Sequence, residues 1–334
     1  MTHRTPRRLV AAAALTTSLA LLAACGGGTS DPAAGEAASP APPTAATAAA
    51  STTAADAFPV TVASGQLPDT TDIEIAERPD SVVSISPTAT EMLFAVGAGE
   101  QVVAVDAFSY YPEEAPVTDL SGFEPNLEAI LAYEPDLVLT SGDPGDLESG
   151  LAAAGVPTLL LPAAVDLEET YDQLRRIGAA TGNSEGAEAV VADMSERIDA
   201  AVAEAGGAGE GLTYYHELDP SFFTASGDTF IGEVYGLFGL ENIADATGEA
   251  YPQLSQEFVV EADPDVVFVT SGDFSATPEE IASRPGWAGI TAVENDDVVV
   301  VDSDVASRWG PRTADFAESV AESLTEVTAG AAAG

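Results

Sequence analysis

A histidine and two stretches that combine hydroxyls with carboxylates are the residues whose chemistry could support catalysis. The histidine is His216, and the stretches are Thr-Ser-Gly-Asp at 140–143 and Ser-Gly-Asp at 226–228. A serine hydrolase needs its histidine close to a nucleophile on a tight turn, and nothing around His216 predicts such a turn. The chain also has no Gly-Lys-Ser/Thr phosphate-binding loop and no His-Glu-x-x-His zinc pair. We therefore expect a protein that is not an enzyme.

Two glutamates have matching positions in a duplicated part of the chain. Glu128 lies seven residues before Pro135, and Glu257 lies seven residues before Pro264. Each proline is followed by aspartate, by an apolar run and then by Thr-Ser-Gly-Asp. Such a run is typical of a buried strand in a parallel sheet, and the preceding helical stretch supplies the crossover connection. The duplication therefore predicts two similar α/β halves with a cleft between them.

The charge of the chain excludes several classes of partner. It has 55 acidic and 10 basic residues, a formal net charge of -45, and no lysine. Such a surface repels nucleic acid and anionic lipid headgroups, so we expect neither as a partner. No Asp-x-Asp-x-Asp-Gly loop closed by a glutamate is present, so the acidity indicates a strongly solvated surface rather than a calcium site. We expect no bound metal ion and no other cofactor.

The N-terminus has the features of an export signal. Arginines precede an apolar segment at 9–24, which is short for a membrane span of about 20 residues. Cys25 follows Leu-Ala-Ala and precedes glycines, so this region resembles the signal peptide and lipobox of bacterial lipoproteins. The resemblance implies that residues 1–24 are removed and that Cys25 is acylated. We expect an extracytoplasmic protein, anchored by lipid to the outer face of the bacterial cell membrane.

A linker separates the predicted anchor from the folded domain. Residues 25–57 are almost entirely alanine, proline, threonine, serine, glycine and acidic residues, a composition that predicts a disordered spacer. Cys25 is the only cysteine, so the domain has no internal disulfide and no thiolate zinc site. The remaining chain, about 275 residues, is long enough for two lobes with separate cores.

The order of the predicted elements is that of an α/β protein with two Rossmann-like lobes. A strand at 81–86 and a helix at 89–96 begin an alternating βαβα pattern, which is typical of a doubly wound sheet. This N-terminal lobe is predicted at 58–183. A backbone helix at 184–205, long enough to span about 30 Å, then leads to a C-terminal lobe at 206–334.

This arrangement resembles a known family, and the resemblance runs from about 81 to 327. Its motifs are specific only in their order and spacing together. They are Ser-Pro-Thr-Ala-Thr-Glu at 86–91, Tyr-Pro at 111–112, Asn-Leu-Glu at 126–128, Tyr-Pro-Gln-Leu-Ser at 251–255 and Ser-Arg-Trp-Gly-Pro-Arg at 307–312. They are similar to motifs of the helical-backbone (class III) substrate-binding proteins of ABC importers, in the branch that binds vitamin B12 and iron-siderophore complexes.

The resemblance implies a fold, a function and a partner. It implies two α/β lobes joined by a single long helix, with the ligand in the cleft between them. The partner would be an ABC permease dimer with its ATPase subunits, which receives an iron-siderophore complex or cobalamin. In this family one surface glutamate of each lobe pairs with permease arginines, and Glu128 and Glu257 match those positions. We expect the binding protein itself to be a monomer.

The ligand-binding residues that the resemblance implies are mostly aromatic and lie at strand ends and in interlobe loops. Aromatic rings cover the flat apolar faces of a metal chelate, while a few polar groups orient its rim. In the first lobe we expect Pro87, Thr88, Phe108, Tyr110 and Phe123. In the second lobe we expect Phe222, Phe223, Tyr251, Asp304, Arg308 and Trp309.

The identity of the ligand stays open at this point. Few arginines lie in the lobes, which disfavours an anionic catecholate and favours a near-neutral hydroxamate siderophore or a corrinoid. Haem is an alternative, with His216 or a tyrosine as axial ligand, although His216 is more typical of a structural residue at a strand end. A ligand sensor without transport would use the same fold. An extracytoplasmic hydrolase is the least favoured alternative.

Lipidation of Cys25 can be tested by removing the thiol. Because an acyl chain attaches through that sulfur, Cys25→Ser should move the protein from the membrane fraction to the medium. Immunoblots of fractionated cells measure the shift. Unchanged membrane retention of the variant would contradict the lipoprotein prediction.

Overall fold

The structure is a computed structural model that describes residues 57–272 and 276–333. The predicted signal peptide, Cys25 and all but the last residue of the predicted linker lie outside the described residues. Within the described part of the chain, no helix combines the length and the apolar character needed to cross a membrane.

The described chain begins with a β-hairpin that the sequence analysis did not predict. Strands β1 (Val60–Ser64) and β2 (Thr71–Ile75) pair in antiparallel register. Val62 and the last residue of β2 are buried in the core of the N-terminal lobe. The hairpin therefore belongs to that lobe and is not an extension of the linker.

The N-terminal lobe is built on a five-stranded sheet. Its strands are β3 (Val82–Ser84), β4 (Val102–Asp106), β5 (Val117–Leu120), β6 (Leu137–Thr140) and β7 (Thr158–Leu160). They lie in the order β5-β4-β3-β6-β7, and all neighbours are parallel. The helices of the lobe are α1 (Pro87–Ala95), α2 (Leu127–Leu131), α3 (Leu147–Ala153) and α4 (Leu167–Thr181).

Helices cover both faces of this sheet, because alternate strand residues are buried in two different cores. Val82 and Leu137 pack on one face with residues of α1 and α4. Val83 and Val138 pack on the other face with residues of α2 and α3. Successive side chains of a strand point to opposite faces, so a short strand that is apolar throughout is buried on both.

A single helix, α5 (Ser184–Ala205), joins the lobes at the bounds that the sequence predicts. Val191 and Met194 are buried in the core of the N-terminal lobe. Ile198 and Ala205, further along the same helix, are buried in the core of the C-terminal lobe. The helix therefore contributes apolar side chains to both lobes.

Two glycines allow α5 to begin where it does. Gly182 ends α4 with a φ of +69°, a left-handed conformation that glycine adopts without strain, and the chain turns there into α5. Gly186 lies against the end of α1, where a Cβ would be 2.1 Å from the carbonyl oxygen of Val96. A larger residue at this position would force the two helices apart.

The C-terminal lobe has a four-stranded sheet. Its strands are β8 (Thr213–Glu217), β9 (Glu241–Asn242), β10 (Val266–Thr270) and β11 (Val298–Val301), in the parallel order β11-β10-β8-β9. Its helices are α6 (Phe230–Gly236), α7 (Gln256–Ala262), α8 (Pro278–Ser283), α9 (Thr291–Glu294), α10 (Ser303–Ser307) and α11 (Thr313–Ala333). The two lobes with parallel sheets confirm the predicted fold class.

The duplicated Pro-Asp motif has the same structural role in both lobes. The Asp136 carboxylate accepts the backbone N–H groups of Asp80 and Ser81 at 3.0 Å, directly before β3. The Asp265 carboxylate accepts the N–H and the hydroxyl of Thr213 at 2.8 Å, at the start of β8. Each aspartate thus ties the start of its own strand to the start of the neighbouring parallel strand.

The strand order places a crevice in each lobe. It reverses between β3 and β6 in the first lobe and between β8 and β10 in the second. Loops that leave the carboxyl ends of strands at such a reversal diverge, and ligands of open α/β sheets bind there. The topology therefore directs the search for a site to the loops after β3 and β6 in the first lobe and after β8 and β10 in the second.

Candidate functional site

A cavity of about 720 Å³ opens between the strand ends of the N-terminal lobe and one segment of the C-terminal lobe. Pockets of this size hold small-molecule ligands in many proteins. The loops after β3 to β6 form one wall with Ile85, Ser86, Pro87, Thr88, Asp106, Phe108, Gly122, Phe123, Ser141, Gly142 and Pro144. The opposite wall consists of Asp304, Ser307, Arg308 and Trp309.

The aromatic side chains of the cavity are accessible to a ligand. Phe123 is 75% exposed and packs edge to face against Phe108, with the ring centroids 5.9 Å apart. Trp309 is partly buried, and its indole N–H donates to the side-chain oxygen of Gln173 at 3.0 Å. Exposed rings on a rigid support offer flat apolar area, which suits a large planar or wrapped ligand.

Tyr110 closes one edge of the cavity by a hydrogen bond between the lobes. Its hydroxyl donates to the Asp304 carboxylate at 2.5 Å, and that hydrogen bond raises the pKa of Tyr110 above its ordinary value. The guanidinium of Arg308 lies 5.2 Å from the centroid of the same ring. The loop of the N-terminal lobe that carries Tyr110 and helix α10 of the C-terminal lobe therefore meet at the mouth of the cavity.

A buried carboxylate, Glu91 of α1, holds two arginines of the other lobe. Arg308 donates to it at 2.7 Å, and Arg312 donates to it at 2.6 and 2.8 Å. Arg308 also pairs with Asp304 at 3.0 Å. Only 3% of Glu91 is exposed, so its carboxylate is largely shielded from water and salt. The arginine of the cavity wall is therefore fully paired within the protein.

A second acidic residue, Asp106, lies buried at the end of β4 and borders the cavity. Burial raises the pKa of its carboxyl group above the ordinary value. It contacts Ser109, and a chain of hydroxyl contacts continues to Thr90, Ser84 and the carbonyl of Ser86. The Ser109 hydroxyl donates to the Asp106 carboxyl group, and this hydrogen bond and the charge of Arg308 partly offset the effect of burial on its pKa.

The two duplicated glutamates occupy equivalent exposed positions on the lobes. Glu128 lies in the first turn of α2, which precedes β6, and Glu257 lies in the first turn of α7, which precedes β10. The Asn126 and Ser255 side chains cap these helices by accepting a backbone N–H. Both glutamates thus lie on short, capped helices, and each of these helices leads into the corresponding strand of its lobe, β6 or β10.

Comparison with known proteins decides the family. Residues 82–305 match the periplasmic binding protein family. The chain belongs to this family. It is 31% identical over 281 residues to the uncharacterized ABC transporter substrate-binding lipoprotein YvrC of Bacillus subtilis, which corresponds to 80% of this chain and 86% of that protein. It is 32% identical to a vitamin B12-binding protein of Pectobacterium carotovorum subsp. carotovorum, over 75% of this chain and 91% of the relative.

A solved structure agrees with this assignment. The periplasmic vitamin B12 binding protein BtuF of Vibrio cholerae superposes with a TM-score of 0.63 at 26% identity, covering 75% of this chain and 98% of that chain. The present chain, as a member of the periplasmic binding protein family, therefore has the two-lobed fold with a cleft that the sequence resemblance implies.

Seven of the expected ligand residues line the cavity of this periplasmic binding protein. They are Pro87, Thr88, Phe108, Phe123, Asp304, Arg308 and Trp309. Tyr110 lies at the edge through its bond to Asp304. Sequence reasoning missed Asp106 and Glu91. The position of Asp106 at a strand end is a signal that could have found it, and Glu91 closes the 86–91 motif.

Three expected residues lie on other loops of the C-terminal lobe. Among the described residues, the cavity wall does not include Phe222, Phe223 or Tyr251. Phe222 is partly buried and lies under the guanidinium of Arg284, 5.0 Å from its ring centroid. Phe223 and Tyr251 are 40% and 53% exposed, respectively. Phe222 and Phe223 lie in the loop after β8, and Tyr251 lies in the segment before α7, which pairs with that loop through a bridge between Phe223 and Gln253. These three residues form a separate aromatic surface of the second lobe.

The geometry gives no support to a catalytic or metal-binding role for His216. This side chain is fully buried in β8, where burial lowers its pKa to about 4 and Nδ1 lies 2.9 Å from the Tyr235 hydroxyl. Residues 182–186 have the Gly-x-Ser-x-Gly spacing that, in some serine hydrolases, forms the turn that carries the nucleophile. That turn connects a strand to a helix, whereas Ser184 begins α5 directly after helix α4. Within the described residues, no group of three or more histidine, cysteine or acidic side chains could hold a metal ion.

A titratable contact between the lobes lies beside α4. Glu233 of α6 accepts the backbone N–H of Leu167, at the start of α4, at 3.0 Å. Burial is the main cause that raises the pKa of Glu233 to about 7, and the nearby carboxylates of Asp166 and Glu168 contribute to the same rise. This interlobe contact therefore changes its charge near neutral pH.

Glu233 predicts a pH dependence of stability. An unfolded glutamate titrates near pH 4.3, so between about pH 4 and pH 7 ionisation costs more in the folded state. Stability from this group is therefore full below about pH 4 and lost as the pH rises through about 7. Glu233→Gln keeps an acceptor for Leu167 but cannot ionise. Thermal melts should show a higher melting temperature for the variant at pH 8 and no difference at pH 4.

The control for this experiment is Glu241→Gln, on the exposed edge strand β9. It should follow the wild-type protein at both pH values. Equal melting temperatures of Glu233→Gln and the wild type at pH 8 would contradict the prediction.

Proposed function

We propose that this protein is the substrate-binding component of an ABC importer and that it captures a near-neutral corrinoid or ferric hydroxamate. The observation that carries the proposal is the cavity between the lobes, with the exposed rings of Phe108 and Phe123 opposite a fully paired Arg308. Such a site offers apolar area and hydrogen-bonding groups but no free positive charge to a polyanion. Binding and release, without catalysis, are the role that these residues support.

The charges around the cavity support the choice of a near-neutral ligand. Asp106 and Asp304 lie in its wall, and Arg308 is the only basic residue among the described lining residues. A catecholate complex or the propionates of a haem would meet these carboxyl groups without a free cation. His216 is buried away from the cavity wall, so it supports no axial bond to a haem there.

The relatives support a corrinoid in particular. The protein of Pectobacterium carotovorum and the structure from Vibrio cholerae are both named as vitamin B12-binding. A corrinoid has a flat ring system that suits Phe108 and Phe123, and peripheral amides that suit the polar groups of the rim. Phe222, Phe223 and Tyr251 are proposed contacts for the part of the ligand that reaches past the cavity.

The proposed location is the outer face of the cell membrane. The basic start, the apolar segment and Cys25 support a lipid anchor, and the Bacillus relative is named as a lipoprotein. In this proposal the protein acts as a monomer. The linker at 25–57 lets it reach an ABC permease dimer with its ATPase subunits.

A fluorescence titration tests the ligand. The chain has two tryptophans, of which Trp309 lines the cavity and Trp287 is fully buried in the second lobe. Cyanocobalamin or a neutral ferric hydroxamate should therefore quench Trp309, whereas a ferric catecholate should not. Phe123→Ala should weaken binding by about 1–3 kcal/mol, the scale of a lost aromatic contact.

Two variants sharpen this titration. Trp287→Phe leaves Trp309 as the remaining tryptophan and should keep the quenching. Tyr251→Ala tests separately whether the aromatic surface of Phe222, Phe223 and Tyr251 contacts the ligand, and the measured quantity is the loss of ligand affinity. Tight binding of a tri-anionic catecholate, with no response to corrinoid or hydroxamate, would overturn the ligand assignment.

Docking to the permease is a separate proposal for Glu128 and Glu257. Exposed carboxylates on corresponding helices could pair with arginines of a dimeric partner, which orients the complex more than it adds affinity. Replacing both with alanine should impair uptake by cells and leave ligand affinity in solution within a few-fold. Transport and titration assays measure the two effects.

The matched control for docking is the double variant Glu124→Ala and Glu261→Ala. These glutamates are also exposed and lie near the same two helices, so the change in net charge is equal. The control should keep normal uptake. Loss of ligand affinity in the Glu128 and Glu257 variant would show that these residues belong to the ligand site instead.

A further inference from the structure

We propose that Glu91 determines the charge selectivity of the cavity: by compensating Arg308 from the opposite lobe, it makes the site discriminate against ligands that carry carboxylates. The inference rests on the proposed function and names the residue that sets its ligand class. Glu91 acts through Arg308 and does not itself line the 720 Å³ cavity, so it is a positioning residue.

The hydrogen bonds of Arg308 leave little of its guanidinium for a ligand. One terminal nitrogen donates to Glu91 at 2.7 Å, and the other pairs with Asp304 at 3.0 Å and donates to the carbonyl of Phe108 at 3.3 Å. The side chain is also 9% exposed, and Tyr110 covers its face. A ligand carboxylate would therefore have to displace a partner that the protein already supplies.

The charge balance of this cluster depends on Glu91. Arg308 and Arg312 together carry two positive charges, and Glu91 and Asp304 carry two negative charges. Arg312 cannot serve the ligand directly, because it lines a different cavity, next to Tyr111 and α5. Without the charge of Glu91, the cluster would have a net positive charge. Arg308 would present that charge to a ligand, because it is the arginine that lines the cavity.

The position of Glu91 makes its charge effective. Glu91 borders the second cavity together with Arg312, but it is only 3% exposed, so water and salt screen its charge little. Asp304, by contrast, has a side chain that is 27% exposed at the cavity mouth. Both carboxylates neutralise Arg308, one from the buried side and one from the open side.

The test compares two ligands of nearly the same shape. Cyanocobalamin carries side-chain amides, and in its monocarboxylate derivative one amide is replaced by a carboxylate. The measured quantity is the ratio of the two dissociation constants at low ionic strength. The wild-type protein should bind the amide form more tightly, and Glu91→Gln should shift the ratio about tenfold toward the carboxylate.

Further variants separate selectivity from stability. Asp304→Asn removes the more exposed carboxylate and should shift the ratio in the same direction, so it decides the matter if Glu91→Gln does not fold. Glu91→Asp keeps the charge and should restore the wild-type ratio. Asp193→Asn removes one negative charge at the second cavity, outside the ligand cavity, and should leave the ratio unchanged.

The outcomes distinguish this inference from the proposed function. A wild-type protein that binds both forms equally, or a ratio that Glu91→Gln leaves unchanged, would overturn the role of Glu91 and leave the importer assignment intact. If Glu91→Gln does not fold, a ratio that Asp304→Asn leaves unchanged would have the same meaning. If cobalamin does not bind, a neutral ferric hydroxamate and a carboxylate-bearing analogue replace it as probes. Failure of all four ligands to bind would overturn the proposed function, and the inference with it.

Discussion

The buried carboxylate of Glu91 is the interaction on which the ligand cavity depends. Arg308 and Arg312, which follow α10, both donate to it across the boundary between the lobes. A buried charge is tolerated only when it is paired and hydrogen-bonded, and removing one partner typically costs about 3–5 kcal/mol. The segment between α10 and α11 is therefore held against α1. Because that segment forms the second wall of the cavity, the same ion cluster sets both the shape and the charge of the site.

Helix α5 restricts the lobes at a second place. Its buried residues belong to both cores, so separating the lobes would expose apolar area at about 25 cal/mol per Å². Arg197 of α5 also donates to Glu318 of α11 at 2.8 and 2.9 Å. The apolar packing along α5 and the ion cluster of Glu91 therefore hold the lobes together by different chemistry. A cleft supported in this way keeps its form before a ligand arrives, which lowers the ordering cost of binding.

Local signals were sufficient for much of the fold. Apolar spacing and flanking glycines predicted the bounds of α5, and the repeated Pro-Asp motif predicted two similar sheets. The hairpin of β1 and β2 was missed because its short strands are recognisable only by their pairing and by the burial of Val62 in the core of a lobe that follows later in the chain. Seven expected ligand residues line one cavity because the family motifs lie at strand ends, whose place in a parallel sheet follows from the topology.

The sequence by itself determined the acidity, the cysteine usage, the residue types at the strand ends and the duplicated glutamates, because all of these depend on composition or local order. Only the tertiary structure decided which of these residues meet. Glu91 and Arg308 are 217 residues apart in the chain, and Phe222 contacts Arg284 instead of the cavity. Such contacts depend on how two sheets and a shared helix pack in three dimensions. A linear pattern does not encode that packing, so the paired state of the cavity arginine could be read only from the folded molecule.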